Sequence, residues 1–98
     1  MRILALGVSL LLPLASAAAA AAGVLEVRAT LTGEVLADGL VRPGQEVRDG
    51  DPLVYVRALV GRAVAARAPA DGTVVEVLVR PGQQIRERGM VVAHLRPR

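Results

Sequence analysis

The 98-residue sequence contains no cysteine, no lysine, no phenylalanine and no tryptophan. Without cysteine it can form no disulfide, no thiolate metal site and no cysteine nucleophile. Tyr55 is the single aromatic residue, which is too few for an aromatic cage or a base-stacking surface. Because His94 is also the single imidazole, the common catalytic and metal-binding arrangements are excluded, and neither enzyme activity nor a metal site is expected.

Positive charge is carried by 12 arginines against 9 acidic residues, for a formal net charge of +3. The two signs are interspersed along the chain, whereas nucleic-acid binding requires basic residues gathered on one face. No nucleic-acid partner is therefore expected. Hydrophobic residues make up 53% of the sequence, so it is not typical of a disordered segment, and its length allows one small domain.

The start of the chain is an uncharged apolar stretch that follows Arg2 and runs from Ile3 to Leu25. A basic residue, an apolar region and then small residues with Ala-x-Ala spacing are typical of a secretory signal. The pattern predicts an apolar helix or signal segment over residues 1–22, a mature domain over 23–98, and a periplasmic or other extracytoplasmic location. The alternative is an uncleaved inner-membrane anchor, because residues 1–25 also reach the roughly 20 residues that span a bilayer.

From Gly23 onward apolar residues alternate with polar ones in short runs that end at Gly, Pro or Asp, which indicates an all-β fold. Three sets of side chains are each predicted to share a face: Leu25, Val27, Ala29 and Leu31; Val75, Val77 and Val79; and Val91, Ala93 and Leu95. His94 falls between two of these apolar residues and is predicted to face solvent.

The domain contains an internal repeat. The segment 41–47 (Val-Arg-Pro-Gly-Gln-Glu-Val) recurs as 79–85 (Val-Arg-Pro-Gly-Gln-Gln-Ile), and the first five residues of each copy are identical. Flanking matches place the two halves at about 33–56 and 72–95. Two copies of a unit that is too small to bury its own core predict halves related by a pseudo-two-fold axis.

Structural turns are predicted where proline precedes or lies near glycine. In each copy of the repeat the proline fixes φ at the first central turn position, and the following glycine supplies the positive φ that a type II turn requires. Another turn is predicted between the halves. The turn residues are Pro43, Gly44, Pro69, Gly72, Pro81 and Gly82.

These motifs, together with the segment 68–74 (Ala-Pro-Ala-Asp-Gly-Thr-Val), resemble the biotinyl/lipoyl-domain family. The resemblance covers about residues 33–95. It is strongest to the lipoyl-like (barrel-sandwich hybrid) modules of periplasmic adaptor, or membrane-fusion (HlyD-type), proteins. It implies a flattened β-barrel or sandwich built from two pseudo-two-fold related halves of four strands each.

Carrier members of this family attach biotin or lipoate to a lysine at the tip of the hairpin that joins the halves, and here that position falls near Val60. Amide attachment needs a primary amine, and the guanidinium of Arg62 cannot replace it. No cofactor is therefore expected. The resemblance implies a non-catalytic, exported interaction or assembly module, associated with a periplasmic adaptor of an efflux or secretion system. The alternative is a carrier-type domain of a carboxylase or dehydrogenase complex that has lost its attachment lysine.

The joining hairpin supplies the predicted interaction residues, which are Arg57, Leu59, Val60, Arg62 and Arg67. A hairpin tip presents contacts, and two apolar residues there favour a protein partner, either a transporter or secretion component or a second copy of the chain. For the arginines, plain solubilising charge is the alternative. Contact of these arginines with an acidic partner or with anionic lipid headgroups is also open, and residues 1–25 could bring the chain close to a membrane.

Overall fold

A computed structural model describes residues 23–98, so the signal or anchor segment predicted over residues 1–22 lies outside the described residues. Residues 23–98 form eight β-strands and contain no helix, which confirms the all-β prediction. No helix able to span a bilayer therefore occurs in this range. The strands are β1 (Leu25–Arg28), β2 (Gly33–Glu34), β3 (Glu46–Val47), β4 (Pro52–Arg57), β5 (Arg62–Arg67), β6 (Gly72–Val77), β7 (Gln84–Ile85) and β8 (Val91–Pro97).

The strands form two antiparallel layers. The first sheet has the order β1-β8-β6-β3. In the second layer β2 pairs with β7 and β4 pairs with β5, and a bridge between Val35 and Val56 joins the two pairs into the order β7-β2-β4-β5. The two sheets enclose a single apolar core, as the sandwich prediction requires.

The two sheets are related by the internal repeat. Strands β1 to β4 correspond in order to β5 to β8, and each sheet takes two strands from each half. The repeat begins earlier than the sequence matches suggested, because Arg28-Ala29 corresponds to Arg67-Ala68 and precedes the matching glycines. The halves therefore span 25–57 and 62–97 and interlock strand by strand.

The core is entirely aliphatic. Leu53, Ile85 and Leu95 are its largest fully buried side chains, and no polar or charged side chain is buried among residues 23–98. Burial of each Val, Leu or Ile side chain contributes about 1.5–3 kcal/mol. The fold is therefore held by aliphatic packing and by backbone hydrogen bonds between strands.

Two β-bulges change the predicted faces. In β6 the core position belongs to Val74, whereas Val75, predicted to face inward, is only half-buried. The pairing of β6 with β8 shifts between Val74 and Glu76, so one extra residue is inserted and the alternation restarts after it. In β8 a second shift opposite Val27 and Arg28 leaves the adjacent residues Val92 and Ala93 both buried.

The repeated Pro-Gly turns are confirmed. Gly44 and Gly82 have φ of 88° and 86°. The Gly44 N–H donates to the Val74 carbonyl at 2.7 Å, and the Gly82 N–H donates to the Val35 carbonyl at 2.7 Å. Each turn is thus hydrogen-bonded to a residue of the other half.

Gly72 is not a turn residue, contrary to the prediction. It is the first residue of β6, it is buried and its φ is not positive. A Cβ at this position would lie 2.2 Å from the carbonyl oxygen of Arg96 in β8. Glycine is needed there because two strands approach closely. Pro69 lies in the bend between β5 and β6, in keeping with its predicted place.

Candidate functional site

The β4–β5 hairpin joins the two halves. Arg57 and Arg62 form its last strand pair, and residues 58–61, called here the hairpin tip, close it. The Ala58 N–H donates to the Gly61 carbonyl at 3.1 Å, and Gly61 has φ of 71°. Glycine in the left-handed conformation is common in short hairpin connections.

The hairpin tip exposes two apolar side chains almost completely. Leu59 has a relative exposure of 106% and Val60 of 91%, whereas the other exposed large hydrophobic residues among 23–98, Leu25 and Leu78, have 37% and 41%. None of the four tip residues carries a nucleophile, an acid or a base. The tip can therefore make contacts but can perform no chemistry of its own.

The arginines at the base of the tip are bound to acidic residues of their own chain. The Arg57 Nε lies 3.2 Å from a Glu34 carboxylate oxygen, and the Arg62 guanidinium lies 2.8 Å from that of Asp38. The same guanidinium stacks on Tyr55, 4.0 Å from the ring centroid. These contacts fix the arginine side chains along the hairpin.

Glu34, Asp38 and Tyr55 were not singled out from the sequence. A signal was present for Asp38 alone, because the first half has one more residue than the second between its glycine and its Pro-Gly turn. The extra residue belongs to the Asp38-Gly39 turn, which has no counterpart in the second half and lies against Tyr55 and Arg62.

Arg67 is not near the hairpin tip. It lies at the opposite end of β5, paired with Pro52, and its guanidinium donates to the Gly50 carbonyl at 3.0 Å. Arg28, its equivalent in the first half, donates to the Gly89 carbonyl at 2.8 Å. The repeated contact indicates that Arg67 holds a turn in place and is not part of the tip surface.

His94 and the aspartates of the turns take part in local contacts. His94 lies on the outer face of the first sheet, with Nδ1 2.9 Å from a Glu76 carboxylate oxygen. The carboxylates of Asp51 and Asp71 accept backbone N–H groups of Arg48 and Asp49 at 2.9 and 2.7 Å. Within residues 23–98, no group of three His, Cys, Asp or Glu side chains could hold a metal ion.

Comparison with known proteins finds a structural likeness but no family assignment. No family model matches the chain, and no curated protein matches it. Among solved structures, a single-chain, multi-domain long-chain acyl-CoA carboxylase matches with a TM-score of 0.66 and 30% sequence identity over 79% of this chain. The match covers 7% of the carboxylase, so this chain corresponds to a small part of that protein.

This likeness and the two interlocked halves establish a biotinyl/lipoyl-like fold for residues 23–98. The likeness to a carboxylase favours the carrier-type alternative over the exported adaptor module.

Proposed function

We propose that this chain is a carrier-type β module of a carboxylase or dehydrogenase complex that has lost its attachment lysine and acts through protein contacts at the hairpin tip. The observation that carries the proposal is the tip itself. Where the resemblance places the modified lysine, the chain exposes Leu59 and Val60 by 106% and 91%. The structural likeness to an acyl-CoA carboxylase supports the same class of assembly.

Exposed apolar side chains on a well-ordered turn are typical of residues that anchor a protein–protein contact. Leu59 and Val60 gain hydrophobic stabilisation only when a partner covers them. The ion pairs of Arg57 and Arg62 order the base of the hairpin before binding, which lowers the entropy lost on association. Stable interfaces bury about 1,200–2,000 Å², so the flanking strands must contribute alongside the tip.

Intact-mass measurement tests the loss of covalent loading. Protein isolated from its native host should carry no prosthetic group, because the sequence offers no side-chain primary amine. Incubation with biotin ligase, ATP and biotin should add no mass at an internal residue. An internal biotin or lipoate adduct would overturn the proposal.

Binding by tip variants tests the contact function. The probe is the host's own biotin carboxylase subunit, passed over the immobilised module. Leu59→Ser with Val60→Ser should abolish retention, whereas Leu25→Ser should leave it unchanged, because Leu25 is 37% exposed in β1 and pairs with Leu95 in the other sheet. Equal retention by the two variants would exclude the tip as the contact site.

A second candidate is the exported module associated with an efflux or secretion system. This candidate rests on the uncharged stretch from Ile3 to Leu25, and it includes an extracytoplasmic location for the protein. Amino-terminal sequencing should then place the mature start between Ala17 and Val24, in an extracytoplasmic fraction. A cytosolic protein that retains Met1 would exclude this candidate, and a neighbouring pump gene in place of a carboxylase gene would favour it.

A further inference from the structure

The hairpin tip is the covalent link between two interlocked halves. Strand β1 of the first half pairs with β8 of the second, and β3 of the first pairs with β6 of the second. The Pro-Gly turn of each half also bonds to a strand of the other. These contacts would be the same if the second half came from another copy of the chain, which is the condition for exchange of halves between two molecules.

If the tip opened, the strand pairing of the hairpin would continue through it between two copies of the chain. Arg57 is paired with Arg62, so an extended segment 52–67 would place Leu59 directly opposite Val60 of a second copy, and Val60 opposite its Leu59. The resulting ladder is antiparallel and symmetric about its centre. Directly opposed aliphatic side chains on one face of such a ladder contact each other.

The residues of the tip suit the extended form better than the closed turn. Central turn positions favour Asn, Asp, Gly or Ser, whereas Leu59 and Val60 occupy them here. Val is β-branched and favours a strand conformation. Gly61 supports the closed form with its φ of 71°, but closure leaves both aliphatic side chains exposed.

A second copy could cover the tip in two ways, which differ in the contacts that they add. A tip-to-tip contact of two intact molecules would bury two aliphatic side chains on each, far below the roughly 1,200 Å² of a stable interface. Exchange of halves forms between two chains the contacts between halves that the closed molecule forms within one chain. It adds the ladder through the opened tip, in which Leu59 and Val60 of the two copies cover each other. We infer that, where no other protein covers the hairpin tip, two copies of this chain join by exchange of halves through an opened tip.

This inference rests on the proposed function only in treating the tip as a contact surface. Its test uses thiols introduced into a chain that has none of its own. Glu26 in β1 and His94 in β8 are directly opposed and belong to different halves. Antiparallel partners have Cα atoms about 4.5–5.5 Å apart, within the range that a disulfide spans.

The experiment oxidises the Glu26→Cys, His94→Cys protein and separates it on a non-reducing gel. In an exchanged dimer the disulfide joins two chains, so the dimer fraction from gel filtration should run as a covalent dimer. In a closed molecule the same disulfide stays within one chain. Light scattering of wild-type protein that detects only monomer at all concentrations, or a dimer whose disulfides are all intramolecular, would overturn the inference.

Two tip variants provide matched controls. Leu59→Asn with Val60→Gly supplies a preferred two-residue turn, and it should raise the dissociation constant of the dimer about tenfold. Deletion of residues 59–60 makes closure difficult and should shift the protein to dimer. If neither variant changes the dimer fraction, the tip is not the hinge. Failure of the dimer leaves the mass test of covalent loading unaffected, so the two proposals are separable.

Discussion

At the scale of single residues, two glycines are required for different physical reasons. Gly82 adopts φ of 86°, and a Cβ there would meet no atom within 4 Å. Gly72 has no positive φ, but its Cβ would collide with the backbone of Arg96. The first position excludes side chains by conformation, and the second excludes them by space.

Substitutions at these glycines should therefore differ in cost. Gly82→Ala should lower the free energy of unfolding by about 1 kcal/mol and Gly82→Val by about 1–2 kcal/mol, through backbone strain alone. Gly72→Ala should cost about 3 kcal/mol or more, because two paired strands must separate. Urea unfolding followed by circular dichroism measures all three. Equal losses for the two alanine variants would contradict this account.

Arg62 should contribute more to stability than Arg57, although both are paired with a carboxylate. Arg57→Ala should cost about 0.5 kcal/mol, the value of an exposed ion pair, whereas Arg62→Ala should cost about 1 kcal/mol because stacking on Tyr55 is also lost. Arg86→Ala is the control, since this side chain forms no ion pair within residues 23–98. The comparison uses urea unfolding at low salt, and an Arg57 loss equal to or larger than that of Arg62 would exclude the stacking contribution.

At the scale of elements, the repeated turns could be predicted from sequence because their chemistry is local. Proline and glycine set the backbone angles of segments 41–47 and 79–85 whatever surrounds them. The bulge in β6 could not be predicted in this way. Val74 and Val75 are both apolar, and the pairing with β8 decides which of them enters the core. Sequence alternation alone therefore assigned the wrong residue.

The candidate site also combines features that could be predicted from sequence with features that depend on the folded structure. Leu59 and Val60 were found because the resemblance locates the joining hairpin. The partners of its arginines were missed, because Glu34 and Asp38 reach Arg57 and Arg62 only after distant segments have folded together. Arg67 was assigned to the tip by its distance along the sequence, whereas the length of β5 separates it from the tip.

The equivalent arginines of the two halves should stabilise equivalent turns. Arg67→Ala should lower the free energy of unfolding by about 1 kcal/mol, the value of one hydrogen bond to a carbonyl. Arg28→Ala should cost about 0.5 kcal/mol more, because its guanidinium also forms an exposed ion pair with Glu26 at 2.6 Å. The double variant should lose the sum of the two, because the two arginines share no partner. Neither variant should weaken partner binding. If Arg67→Ala weakened partner binding without lowering the free energy of unfolding, Arg67 would belong to the interaction surface.

At the scale of the whole molecule, the interlocked sheets explain how so small a domain folds without disulfides. Neither half buries its apolar residues alone, because each sheet takes strands from both. Apart from the β4–β5 hairpin, the strand pairs that join the two halves are distant in sequence, so the domain should unfold in one cooperative step. Because the halves pack on each other in this way, the second half of another copy can take the place of a molecule's own second half.

The retained architecture should allow a lysine placed at the hairpin tip to be modified. Val60→Lys presents a primary amine at a position where the native side chain is 91% exposed, and biotin ligase with ATP and biotin should add biotin to part of the protein. Modification should stay incomplete, because a ligase also contacts neighbouring side chains, and Leu59 and Gly61 differ from the methionines that flank the lysine in biotin carriers. Arg80→Lys, which offers an amine at a Pro-Gly turn, is the control. Intact mass should show an adduct on Val60→Lys alone, and equal labelling of both variants would mean that the tip no longer presents a carrier geometry.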